Sequence, residues 1–314
     1  MVLQEDNTPA IIKNNNAKTN IFKDFFMLTT TLNANLWKIS PRTNKFHEKL
    51  RNSAKKTNFA GNIFDMGIFQ SIFYMIGKYV LLMSRVFAKP QKEKVFRKQL
   101  ITEIDNLGVD SLGIVVIISV FMGAVVAIQT AYNIDSPWVP NYTVGFTTRQ
   151  SIILEFSPTI VSLILAGKVG SRIAGEIGTM RVTEQIDALD IMGINSANYL
   201  ILPKIIAAML IFPVLVSLSM FLGVFGGWLA AALKQVVSTP NYIFGIQSWF
   251  IPYEIFYSLT KTVVFAFIIT SVSGFYGYYA QGGALEVGRA STKAVVQSSI
   301  LIIFFNLIIT QLML

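Results

Sequence analysis

Two ionisable residues sit inside long apolar runs of this 314-residue chain: Glu155, near the start of a run at 150–170, and Lys261, early in a run at 257–279. A charge in hydrocarbon is costly, so such residues line a cavity, pair across the interior or snorkel to the nearby interface. The two read either as polar groups of a cavity or as a structural ion pair. If they relayed charge, they would serve an ion-coupled secondary transporter. A second constellation lies between apolar runs. In EIGTMRVTEQIDALDIMG, residues 176–193, Val182, Ile186, Leu189 and Met192 recur at helical spacing, and Glu184, Asp187 and Asp190 form an acidic flank. Such a helix either docks in a partner's groove or joins two spans as a solvated connector. Thr183 is its expected N-cap, Glu184 and Gln185 fill the first turn where the helix dipole favours acids, and Gly193 is its stop.

Other chemistry is not visible. The chain has no GxxxxGK[ST] phosphate loop, no HExxH and no GxSxG. It has no cysteine and a single histidine, His47, so thiolate chemistry and histidine metal clusters are excluded. A non-catalytic chain is expected, without a cofactor of its own; ATP-driven work would require a separate subunit. The glycines of GGALEVGRAST at 282–292 lack the strand-to-helix setting of a nucleotide loop and read as a connector or a second partner contact.

The elements that must position these residues are membrane helices. The chain is 53% hydrophobic and only 14% charged, with a mean hydropathy of +0.55, values that a soluble chain of this size does not sustain. Five runs reach the twenty or so residues needed to cross a bilayer, at about 112–131, 150–170, 205–232, 257–279 and 294–314. Residues 61–88 are long enough to span, but Asp65, Gln70, Lys78 and Arg85 interrupt them, so an interfacial amphipathic helix is expected. The expected fold is thus an all-α integral membrane protein with three parts. These are a polar tail at 1–58, interfacial or elbow helices at 59–111, and a five-span domain at 112–314.

Basic residues set the orientation. Lys168, Arg172, Arg181, Lys204, Arg289 and Lys293 cluster on the side holding 167–204 and 280–293; Arg149, Lys234 and Lys261 lie towards the other. The positive-inside rule therefore puts the 176–193 helix in the cytoplasm. Trp138, Trp249, Tyr253 and Tyr257 suit an outer aromatic belt, and Tyr276, Tyr278 and Tyr279 an inner one. Of the 26 Lys and Arg, 17 fall in residues 1–110, a bias that suits anionic lipid headgroups; no nucleic-acid-binding signature accompanies it. Small residues repeat every four positions at Gly123, Ala127 and Ala131, at Gly170, Ala174 and Gly178, and at Gly223, Gly227 and Ala231. Each stripe admits a close helix neighbour, within the chain or across a dimer seam.

The run LEFSPTIVSLILAGKVGSRIAGEIGTMRVTEQIDALDIMGINSANYLILPK, residues 154–204, closely resembles the signature region of the MlaE-type permease family, membrane subunits of bacterial ABC lipid transporters. Weaker similarity runs from about residue 60 to the C-terminus, through Gly123, Gln129, Lys261 and GRASTKAVVQSS at 288–299. The resemblance implies a multi-pass permease of the cytoplasmic (inner) membrane. It would act as a homodimer and move phospholipid to or from a periplasmic MCE-domain carrier, a role tied to lipid asymmetry. A cytoplasmic ABC ATPase would bind ATP and Mg. Glu176, Arg181, Thr183, Glu184, Gln185, Asp187 and Asp190 would form the ATPase-coupling contact, and Gln129, Glu155 and Lys261 would lie near the lipid cavity. Leu154 and Asn306 depart from the family pattern, where a basic and an acidic residue respectively can occur. Recognition of a charged headgroup is correspondingly less expected than an apolar cavity for acyl chains, whose burial contributes about 0.8 kcal/mol per methylene.

Overall fold

The structure is a computed structural model and describes residues 60–88, 93–134 and 139–313. The tail at 1–58 and Trp138 lie outside the described residues. The chain divides into two compact units, Met1–Tyr74 and Met75–Leu314; the described residues of the first belong to helix α1, Ala60–Val86. No strand occurs among the described residues, and five helices are long and apolar enough to cross a membrane.

The first is α2, Glu93–Asn133. At 1.5 Å per residue it is about 60 Å long, twice the hydrocarbon thickness. The helix runs unbroken through position 112, so the switch there from charged to apolar residues marks an environment, not a chain break. The second crossing, Tyr142–Val182, is a composite of α3 (Tyr142–Ser151), π1 (Ile152–Ile160), α4 (Val161–Leu165), π2 (Ala166–Gly170) and α5 (Ser171–Val182). Next come the short helix α6 (Gln185–Ile191) and the third crossing α7 (Ser196–Leu233). The short α8 (Thr239–Gln247) and the last two crossings, α9 (Tyr253–Tyr278) and α10 (Ala284–Met313), complete the chain. Over the described residues, each of the five expected runs falls within one of these helices to within a residue at its C-terminal end, and the helices begin before the runs where polar residues continue the helix outside the apolar stretch.

Burial sorts the crossings. In α9, 61% of the apolar stretch is buried within the protein, against 17% in α10, so α9 is central and α10 peripheral. The outward face of α10, at Val296, Ile300, Ile303 and Leu307, is an exposed apolar row. Its helical spacing is that of a surface turned to lipid. Helices α2 and α7 pack along much of their length because glycine brings their backbones together. A Cβ on Gly123 would lie 1.8 Å from the carbonyl oxygen of Gly223, and one on Gly226 would lie 2.3 Å from that of Val120. The hydroxyls of Ser119 and Ser219 meet at 2.8 Å across this seam, and Ser157 lies 3.2 Å from Ser219. Gly170 and Gly178 face Ser273 and Val287. All three small-residue stripes therefore include positions used for packing within the chain.

The aromatic belts are only partly as expected. Trp249 and Tyr253 are exposed, but Tyr257 is fully buried, its hydroxyl bonded to Thr310. Tyr278 is buried too, with its hydroxyl 2.9 Å from that of Ser196. Both rings fill helix contacts that the sequence pattern does not reveal.

Candidate functional site

Glu155 and Lys261 are brought together. Pro158 lies inside π1 and has no N–H to donate to the Leu154 carbonyl in an α-helical register. The segment is π-helical, a geometry that often marks functional positions, and Lys261 on α9 approaches the Leu154 carbonyl to 3.4 Å. The same ammonium donates to Glu155 Oε1 at 2.7 Å and lies 4.5 Å from the centroid of the Tyr257 ring. The ammonium thus lies among a carboxylate, a carbonyl and a ring face.

The other oxygen, Glu155 Oε2, accepts from Asn306 Nδ2 at 3.1 Å and from Thr159 Oγ1 at 3.3 Å. Three crossings thus meet at one carboxylate. Asn306 suits this position physically: an acid there would repel Glu155, whereas the amide donates to it. The Lys261 side chain is 0% exposed and that of Glu155 is 43% exposed, so the accessible part of the pair is an acceptor. Gln129 is exposed near the end of α2, and no hydrogen bond to this pair accompanies it. Sequence reasoning missed Thr159 and the supporting role of Asn306; Pro158, three residues after a glutamate in an apolar run, was the signal for the local break.

The 176–193 segment differs from expectation in its construction. Helix α5 runs to Val182, and Thr183 is its C-cap, not the N-cap of the next helix: the Thr183 hydroxyl donates back to the Thr179 carbonyl at 2.8 Å. Glu184 is the residue before α6 and takes a left-handed φ of 62°. The Thr183–Glu184 pair is therefore a bend between two helices. Gly193 ends α6 as expected, at φ 75°, with Gly193 N–H bonded to Asp190 O and Ile194 N–H to Leu189 O in a Schellman motif.

The apolar stripe turns partly inward. Ile186 is 0% exposed, whereas Met192 is 64% and Ile191 87% exposed. The exposed edge includes Glu184, Gln185, Ala188, Asp190, Ile191 and Met192. Two of the acids already have work within the chain: Asp187 pairs with Arg181 at 2.6 Å, and Asp190 accepts from Ser196 N–H at 3.4 Å. Glu176 is bound by Lys204, described below.

At the opposite end, a cluster that sequence reasoning did not single out fixes the 246–249 turn. Arg149 is 2% exposed and donates to the carbonyls of Ile246, Ser248 and Trp249 at 2.6, 2.9 and 3.2 Å. It also reaches Gln150 at 3.2 Å, which in turn donates to the buried Glu254 at 2.7 Å. The turn it holds presents Trp249, which is 80% exposed and has a left-handed φ of 54°. A buried guanidinium with fixed donors suits this task better than a flexible ammonium.

Five apolar helices, four of them around a central α9, with a paired charge inside, define a multi-pass α-helical membrane protein built to enclose polar contacts within a lipid-facing shell. A family model described as Permease MlaE matches residues 100–312, and the chain belongs to that family of ABC transporter permeases. It is 37% identical over 237 residues to a protein of Rickettsia bellii named as a probable ABC transporter permease, across 76% of this chain and 91% of the relative. A Synechocystis protein with the same description is 32% identical, across 74% of this chain and 88% of its own length. The permease protein MlaE of an intermembrane phospholipid transport system in Haemophilus influenzae is 29% identical, across 74% of this chain and 89% of its own length.

Proposed function

We propose that this protein is the membrane subunit of an ABC-type lipid transporter of the inner membrane. It moves phospholipid between that membrane and a periplasmic MCE-domain carrier, works as a homodimer, and is powered by a cytoplasmic ATPase. The observation that carries the reading is mechanical: α5, which ends at the α6 bend, belongs to the same continuous crossing as Glu155. A push on the exposed edge of α6 travels along one rod to the charge pair. Two π segments interrupt that rod, giving it places to change register without losing its backbone bonding.

The description of the Haemophilus influenzae relative and the internally paired Lys261 support this substrate class. Lys261 is fully buried and held by Glu155, so binding rests on acyl chains against apolar walls, with the Glu155 carboxylate as an acceptor at the polar end. Affinity purification from membranes tests the assembly: an ATPase and an MCE-domain protein are expected with this chain, and recovery of neither overturns the reading. In proteoliposomes, nucleotide-stimulated lipid transfer is expected and should be lost when Glu184 and Asp187 are both changed to Lys. Transfer driven by an ion gradient without nucleotide would point instead to a secondary transporter using Glu155 and Lys261.

A further inference from the structure

Lys204 stands at the start of the third crossing, and its side chain is only 4% exposed. Its ammonium donates to Glu103 Oε1 of α2 at 2.5 Å and to both carboxylate oxygens of Glu176 on α5, at 3.0 and 2.9 Å. All three protons are used, on two carboxylates from two different helices. One cation therefore ties α2, α5 and α7 together about two turns before the α5–α6 bend. Arg172, one turn further back on α5, adds a second link to α2 through Asp110 at 2.5 Å and the Asn106 carbonyl at 3.1 Å. That pair is about half exposed and correspondingly weak; the enclosed Lys204 is the stronger fastening.

The arrangement has one cation between two anions. Sliding α5 past α2 must break a contact of Lys204, and with the ammonium gone the two carboxylates face each other uncompensated. Relative movement of α5 and α2 therefore registers at Lys204 as a contact kept or lost, and contiguous ion-pair networks of this kind carry coupling between helices. We propose that Lys204 is the positioning residue that transmits movement of α5 and α6 to the α2–α7 pair, so that nucleotide hydrolysis by a partner is converted into lipid movement. This rests on the permease reading above. Glu176, whose side chain is 47% exposed, is then the α5 end of this junction.

The test uses the complex purified through a tag on this chain and reconstituted in vesicles of phosphatidylethanolamine and phosphatidylglycerol, with a fluorescent phospholipid as the probe. ATP hydrolysis and lipid transfer are measured together. Lys204→Met is expected to keep hydrolysis near the wild-type rate while transfer falls ~10-fold, a loss of coupling of the size seen when residues between two sites are changed. Lys204→Arg is expected to restore most of the transfer. Should Lys204→Met fail to assemble, the neutral triple variant Lys204→Met, Glu103→Gln, Glu176→Gln leaves no orphaned charge, and it is expected to show the same separation. An unchanged ratio of transfer to hydrolysis, or a proportional fall in both, overturns the inference while leaving the permease reading intact. Absence of nucleotide-driven transfer in the wild type overturns the permease reading and the inference with it.

Discussion

Glu155 Oε1 lies 2.7 Å from Lys261 Nζ, and both belong to helices whose neighbours are otherwise apolar. Each charge makes the other tolerable, and removing one leaves the second without its counter-ion. Glu155→Gln, which orphans the fully buried Lys261 ammonium, is therefore expected to lower stability by about 3 kcal/mol, with Lys261→Met milder because the Glu155 side chain it leaves behind is partly accessible. The double variant should recover much of the loss. Thermal unfolding in detergent, run as a double-mutant cycle, measures the coupling; additive losses would show that the pair does not act as a unit.

The Gly123 contact with Gly223 leaves no room for a side chain. Gly123→Ala should already push α2 from α7 and cost at least the roughly 1–3 kcal/mol typical of overpacking. Gly167→Ala, where a Cβ meets nothing within 4 Å, is the matched control. Similar melting temperatures for the two variants would refute the seam.

The two sides of α6 should respond differently. Ile191→Asp and Met192→Glu, on the exposed edge, should leave folding intact and abolish co-purification of an ATPase. Ile186→Asp buries a charge and should lower the yield of folded protein. The backbone at Glu184 adds a third variant: because its φ of 62° costs a non-glycine residue roughly 1–2 kcal/mol, Glu184→Gly should raise stability slightly. Equal loss of partner from inner and outer positions would show that α6 is not a contact edge.

Orientation can be read directly, since the chain has no cysteine. With single substitutions Ile191→Cys and Trp249→Cys, an impermeant maleimide applied to intact spheroplasts should label the second and not the first. Labelling of Ile191→Cys from outside would put the α6 bend on the wrong face for an ATPase.

Arg149 should act locally. Arg149→Met removes four hydrogen bonds at the 246–249 turn and to Gln150, and is expected to expose the peptide bonds around Trp249 to protease added from outside. Unchanged proteolysis would mean that packing alone fixes the turn.

Much of this architecture was legible in the residues. Apolar runs long enough for a bilayer gave five crossings because backbone groups in hydrocarbon must bond within a helix, and the basic residues of their connections supplied an expected orientation. Gly193 marked the end of α6, since a left-handed residue is most easily glycine. Glu155 and Lys261 stood out because ionisable groups in apolar runs are rare. What the sequence by itself determined, then, is the class, the crossings and the residues too costly to be incidental. Tertiary structure alone decided their partners. Periodicity could not say that Lys261 reaches Glu155 across 106 positions, that Lys204 reaches Glu103 across 101 positions, or that Ile186 turns inward while Ile191 turns out. Those choices depend on which helices lie side by side, and that follows from close approaches such as Gly123 to Gly223, a relation between residues a hundred positions apart that no local pattern encodes.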